Sequence, residues 1–392
     1  MVTLSTADNA LKDFYLEVLS NQLNTTINPL LARINQTTSD VWGREIRKFA
    51  PYGINGGIGA GTEDGDLPAS ANNNYAQFVL TLKNLYGKLE ISDKAIRASE
   101  YSAGAFVNLL NAEMDGLLKA SSFNLGRMLY GDGSGFLADI TSSTESSVIV
   151  DKIYNLIEGM VVDIVSESGE TIKGGLRIKS IDRTNKKVTF TTSTLSSDYA
   201  SAGYKLCVQG SYGNEITGLG AIFDTSKSLY GLDRASHSWM NPYIKDLSSG
   251  SNTDITEVAI QTAIDNLEEI ANSKVDFIVC SSGVKRNYQN YMISYRSNIN
   301  VMDLEGGFKA ISYNGIPLVS DRFVPNNTMF LLNTQDFNLH QLCDWKWLES
   351  EDGRVIKQTP GKATYQATLV KYADLICNKP CGQAKITGIK ES

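Results

Sequence analysis

Apolar positions along the chain change their period several times, and each change marks an element. Residues 7–35 place Leu11, Phe14, Tyr15, Val18, Leu19, Leu23 and Ile27 on one side of an amphipathic helix, which Pro29 should kink or end. Across 75–92 the period falls to two, with Phe78, Leu80, Leu82 and Leu85 alternating with polar residues as a strand does. Between this run and the preceding flank GREIRKFAPY lies YGINGGIGAGTEDGDLPASANNN, rich in glycine and turn formers. The pattern predicts two long strands joined by a loose tip, a projecting arm over 43–92. A lone two-stranded hairpin is marginal in water, so a neighbour is expected to hold it.

The helical period returns over 99–130. Ala103, Val107, Leu110, Met114, Leu117, Ser121, Leu125 and Met128 form one seam, Ser99 or Ser102 is available as a cap, and GDGSG at 131–135 ends the run. About 30 residues would span roughly 45 Å. From 137 to 225 short strand-like runs (MVVDIVSE, GGLRIKSID, KKVTFTTST, YKLCVQG) alternate with turns, which predicts a small inserted antiparallel β-barrel. Beyond a loop holding Asp233, Arg234, Trp239, Asn241 and Pro242, helix and strand alternate again. Asp254-x-x-Glu257 resembles a capping box opening a helix with Val258, Ile264, Leu267 and Ile270. VDFIVC at 275–280 has a buried-strand pattern, and Ser282 is placed to cap a helix carrying Val284, Tyr288, Tyr291, Met292 and Tyr295. From 313 onward the pattern is mostly strand and turn. The fold class expected is α+β.

Composition narrows the function classes. With 392 residues and 42 % hydrophobic side chains, two or three domains and a substantial core are expected. The net charge of −7 comes without a basic stripe in the sequence pattern, so sequence-specific gripping of nucleic acid is not expected. No apolar run is long enough to span a membrane as a helix, and the start lacks a signal-peptide pattern. Five widely spaced cysteines fit reduced thiols better than a disulfide framework.

Candidate chemistry is sparse. His237 and His340 are the two histidines, so triad chemistry has little material. Cys280-SSGVK-Arg286 has the Cys-x5-Arg spacing of a cysteine-phosphatase loop, but Val279 stands where that loop carries histidine and no general acid is evident. Gly57, Gly59 and Gly61 lack the Gly-Lys-Ser/Thr of a phosphate loop, and Glu63, Asp64 and Asp66 would repel phosphate. Those acids lack an EF-hand's twelfth-position glutamate, and Pro68 interrupts them, so a solvated acidic tip is expected. Cys377-NKP-Cys381 and His340-x-x-Cys343 lack further ligands for zinc. No catalytic residue, cofactor or metal is expected, and the chain reads as a structural, self-assembling subunit rather than an enzyme.

Several stretches, taken in order, resemble the major capsid proteins of tailed bacteriophages, the Hong Kong 97 fold. They are YGKLEISDKAIRAS before the long helix and LYGDGSG after it, then GLDRASHSWMNPYI at 231–244. The most specific is YNGIPLVSDRFVPNNTMFLLNTQDFNLHQLCDW, followed by ATYQATLVKYADLICNKPCGQAKITGI. The resemblance implies an N-terminal arm at 1–42, an extended E-loop at 43–92 and a peripheral domain with its spine helix at 93–136. It further implies an inserted barrel at 137–225, an axial domain and its connection at 226–335, and C-terminal strands at 336–392 completing both domains.

The implied function is an icosahedral head shell of hexamers and pentamers around packaged double-stranded DNA. An encapsulin-like compartment enclosing cargo enzymes is the alternative. Implied partners are copies of the chain, a portal protein and DNA held without sequence-specific binding. A separate scaffolding protein, or none, is expected rather than a fused and cleaved one, because no long charged helical leader precedes the arm. The implied location is the virion, assembled in the host bacterial cytoplasm, with no membrane. Tyr52, Glu63, Asp64, Asp66 and Pro68 are the candidate assembly residues, and the three acids are expected to meet basic groups on a neighbour. Lys48, Lys83 and Lys88 lie on the arm's flanks, so the lysine–asparagine cross-linking of some relatives is not expected.

Overall fold

A computed structural model describes residues 28–39, 41, 45–94, 103–192, 195, 199, 203–295, 301–303, 309–349, 353 and 355–391. The amphipathic stretch before Asn28, and Ser99 and Ser102, lie outside them. Strands β1 (Asn35–Thr37), β2 (Ile46–Tyr52), β3 (Asn74–Leu80) and β4 (Lys83–Ser92) precede the long helix α1 (Ala103–Tyr130). Then come β5 (Phe136–Ser143), β6 (Ser147–Val150), β7 (Val161–Val165), β8 (Thr171–Asp182), β9 (Lys187–Phe190) and β10 (Lys205–Val208). The short α2 (Leu219–Ile222), β11 (Tyr243–Asp246), α3 (Glu257–Ala271), β12 (Phe277–Cys280) and α4 (Ser282–Tyr295) follow. Strands β13 (Val301–Asp303), β14 (Lys309–Tyr313), β15 (Ile316–Ser320), β16 (Met329–Leu332), β17 (Phe337–Trp347), β18 (Lys357–Gln358), β19 (Thr364–Cys377) and β20 (Ala384–Thr387) complete the chain.

The strands form two body sheets, a barrel and a hairpin. One sheet runs β1-β17-β19-β18, and β4 also pairs with β19 over ten residues, from Thr364 opposite Ser92 to Ala373 opposite Lys83. The other runs β11-β20-β16-β12-β15-β14-β13. Its central strand β12 is buried on both faces, which explains its unbroken apolar sequence. Phe277 and Val279 face the core shared with α1 and the first sheet, while Ile278 and Cys280 face α3 and α4. The two sheets are therefore built around one continuous interior rather than joined by a linker.

Helix α1 buries Met114, Leu118, Leu125, Met128 and Leu129 in that interior. It ends where Gly131 N donates to Met128 O (3.0 Å). The segment entering α2 crosses this end so closely that a Cβ on Gly218 or Gly220 would strike backbone atoms of Met128 or Gly131. Glycine is required there by contact, not by turn geometry.

Strands β5 to β10 close into a barrel in the order β10-β5-β6-β9-β8-β7. Leu137, Val148, Val162, Ile164, Leu176, Ile178, Val188 and Leu206 fill it as a core of its own. Ile216, Leu219, Ile222 and Phe223 pack instead into the body core, so the barrel's strands end at Val208. One buried ion pair ties this junction to α1: Arg127 grips Glu215 with both terminal guanidinium nitrogens, and its Nε also donates to Asn124 Oδ1 (3.2 Å).

Two helix caps are corrected, and the buried face of one helix is narrower than its apolar residues suggest. Thr256, not Asp254, caps α3, its hydroxyl accepting from Ala259 N (3.2 Å), and Asp254 instead accepts from Asn287 Nδ2 (2.7 Å). Ser281 rather than Ser282 caps α4, accepting from Val284 N (3.4 Å). Val258 and Ile270 are 73 % and 70 % exposed, because the buried stripe of α3 runs through Ile260, Ala263, Ile264 and Leu267. In each case a tertiary partner, not the local pattern, chose the residue.

Candidate assembly surface

The apolar run at 75–92 is two strands with different partners. Strand β4 belongs to the body sheet, while β3 pairs with β2 from Ile46 opposite Leu80 to Tyr52 opposite Asn74. The projecting arm is thus the β2–β3 hairpin and the 53–73 tip it carries. Its base is anchored. Ile46, Ala50, Phe78 and Leu80 are buried in the body core, and Val79 N donates to Tyr230 O (2.9 Å). Tyr52 stacks on Trp239 at 4.7 Å and 2°, and Phe78 lies 6.5 Å from the same indole. Tyr230 in turn takes a φ of +50° and donates its hydroxyl to Leu375 O (3.2 Å).

Past Tyr52 this support stops. The backbone of the tip makes local turns, such as Gly65 N to Thr62 O (3.2 Å), and Gly57 N donates to Asn55 Oδ1 (2.9 Å). Glu63, Asp64, Asp66 and Pro68 are all exposed. So are large apolar side chains: Leu67 at 91 %, Ile58 at 74 %, and also Ile54, with Phe49 and Tyr75 on the hairpin. A groove of about 680 Å³ runs beneath the hairpin, walled by Phe49, Tyr52, Trp239, Ile270 and Pro380.

Of the five residues singled out in the sequence, four share the exposed tip. Tyr52 is separate and serves the anchor. Composition did not reveal Ile54, Ile58 and Leu67 as part of the surface, although the apolar residues among glycines were a visible signal. Trp239 and Tyr230 were not legible as anchors, because nothing local links them to residues 52 and 78.

The possible chemical sites are occupied by structure. Cys280 is fully buried and its thiol, donating to Val319 O (3.7 Å), is pushed up to about 12 by burial. The N-terminus of α4, where a phosphatase loop would cradle phosphate, holds the chain's own Glu391 carboxylate. That carboxylate accepts from Ser281 Oγ and from Asn327 N (2.7 Å), and Gly283 leaves room for it. Cys377 and Cys381 are both free thiols raised by burial. Among the described residues no three His, Cys, Asp or Glu side chains converge to hold a metal, and no helix is long and apolar enough to cross a membrane.

No protein-family model matches the chain, and no curated protein matches it. Solved structures do. The chain is similar to a protein of the cyanophage A-1(L) capsid asymmetric unit at 12 % identity and TM-score 0.55, covering 94 % of this chain and 92 % of that one. Weaker likenesses include the capsid of the Myoviridae phage XM1, at 8 % identity, TM-score 0.47 and coverage of 93 % and 92 %. Another is the holo-SrpI encapsulin of Synechococcus elongatus, at 10 %, 0.47, 97 % and 96 %. The last two are too slight to bear on the assignment. The first shows the fold: an α+β capsid fold of the Hong Kong 97 type.

Proposed function

We propose that this chain is a major capsid protein that assembles into hexamers and pentamers of an icosahedral phage head around double-stranded DNA. The observation that carries the reading is the arm. A capsid-type fold projects a hairpin whose base is locked by Trp239 and whose tip leaves Ile54, Ile58 and Leu67 in water. Exposed apolar clusters of this kind mark surfaces that another protein covers. On this reading the β2–β3 hairpin with its 53–73 tip is the E-loop, α1 is the spine, and the β17–β19 sheet, with β4 paired to it, is the peripheral domain. The seven-stranded sheet with α3 and α4 is the axial domain. Subunits would join by heterologous contacts that close into rings.

The role is structural. Its partners would be other copies, a scaffolding protein, a portal and the packaged genome, with assembly in the host cytoplasm. Electron microscopy of the purified full chain tests the reading. Closed shells or ring-shaped capsomers are expected, and a folded protein that stays monomeric at high concentration overturns it. Particles from infected cells should protect double-stranded DNA from nuclease, whereas particles filled with enzyme would favour the compartment.

A further inference from the structure

Charge is distributed unevenly between the two β-excursions. The barrel's β8–β9 hairpin, residues 171–190, carries Lys173, Arg177, Lys179, Arg183, Lys186 and Lys187 against a single acid, Asp182. That acid is engaged locally, accepting from Asn185 Nδ2 (2.7 Å) and from the amides of Thr184 and Asn185 (3.0 and 3.1 Å). Arg177, Lys179, Arg183 and Lys187 are exposed, and no ion pair ties the first three to an acid among the described residues. Strand register sets Ile149, itself exposed, opposite Lys187, which pairs in turn with Asp182 at the turn end of β8. This is a basic sheet face with one apolar side chain set beside it, a basic stretch that the reading of the sequence as lacking a basic stripe overlooked, on a protein of net charge −7.

The arm tip is its complement. Residues 53–73 carry Glu63, Asp64 and Asp66, no lysine or arginine, and the exposed Ile54, Ile58 and Leu67. Each limb of the tip has about ten residues and can reach at most about 33 Å beyond the hairpin, enough to cross onto an adjacent subunit. The barrel adjoins the body sheet on that scale: Lys83, on β4, donates to Gly213 O (2.9 Å) just after the last barrel strand.

We propose that the arm tip of one copy docks on the β8–β9 face of a neighbouring copy's barrel, acids against the basic side chains and Ile58 and Leu67 against Ile149. The inserted barrel is then the arm's receptor, and the contact is heterologous, as a closing ring requires. This rests on the shell-forming reading. Its electrostatic part is exposed and therefore weakened by salt.

Charge reversal tests it in the full-length chain. Arg177→Glu/Lys179→Glu/Lys187→Glu, or Glu63→Lys/Asp64→Lys/Asp66→Lys, should each raise the subunit concentration needed for shell assembly roughly tenfold at low salt, several exposed pairs acting together. The six-fold variant combining both sets should recover most of that loss. Light scattering and electron microscopy read assembly, and circular dichroism checks folding. As a second measure, Asp64→Cys with Lys179→Cys should give an intermolecular disulfide on oxidation of assembled particles that neither single variant gives. Docking is overturned if either reversal assembles like the parent, if the combination shows no recovery, or if the cross-link fails in intact shells. It is also overturned if the barrel reversal lowers only DNA retention, since the face would then serve nucleic acid. A folded parent chain that forms no shell at all overturns the shell reading itself, an outcome distinct from shells that ignore these charges.

Discussion

The barrel and the arm both leave the body as antiparallel β-structure, and they satisfy their backbones differently. In the barrel each strand has a neighbour on both sides, and the inward residues of all six build one core. In the arm β2 and β3 have only each other, and beyond Tyr52 the chain makes local turns. A closed barrel removes its own edges, whereas a two-stranded ribbon keeps two. The barrel can therefore hold its shape alone. The arm stands on an anchor at one end and needs a second surface at the other.

Removing the tip breaks this comparison most severely. Replacing residues 53–73 by an Asn-Gly turn should leave a folded subunit with an unchanged melting temperature and abolish closed shells under electron microscopy. Normal shells from this variant would remove the arm from the assembly mechanism. Fragments come next. The isolated segment 134–212 should unfold cooperatively on heating, while a peptide spanning 45–81 should show no transition, as expected of a lone hairpin.

The junction between barrel and body is the next test. Arg127→Met strands the buried Glu215 carboxylate and should cost about 3–5 kcal/mol in denaturant unfolding. Asp374 sits close by on β19, accepting from Thr217 N (2.6 Å), Thr217 Oγ1 (3.2 Å) and Leu375 N (2.9 Å). Burial outweighs these donors and pushes its carboxyl up to about 7. The folded state then keeps a proton that the unfolded chain releases near pH 4. This contribution is full in acid and falls as pH rises toward 7, by at most roughly 1.4 kcal/mol per pH unit. Buried Asp321, also raised, has the same sign. Asp374→Asn should flatten that slope in urea titrations between pH 4.5 and 7; an unchanged slope would assign it elsewhere. The smallest effect is expected at the anchor. Trp239→Ala removes the stacks with Tyr52 and Phe78 and should cost about 2 kcal/mol, with faster proteolysis of the arm.

Legibility followed the range of the forces involved. Helix α1 was visible because a seam repeating every three or four residues is a local property, and barrel strands β7 to β10 were visible because turns punctuate them, whereas β5 and β6 were not read. The arm's oddness was visible in its glycines. The division of 75–92 between arm and body was not, since β3 and β4 have similar alternation and differ only in partner. The cap of α3 was missed for a related reason. Asp254 and Thr256 are both good caps, and Asn287 on α4 engaged the first. On the candidate surface the acids could be read directly, while the anchor could not.

The sequence by itself determined the α+β class, four of the inserted barrel's six strands and an arm that its own hairpin could not support. Periodicity, turn chemistry and composition act over a few residues, so they are written in the chain. Tertiary structure decided which strand ended the arm, that Trp239 would hold its base, and that Arg127 would meet Glu215 across 88 residues. It also decided that Glu391 would fill the place where a cysteine-phosphatase loop would hold phosphate. Those outcomes depend on packing between distant segments, where burial and charge pairing choose among partners that look alike in sequence.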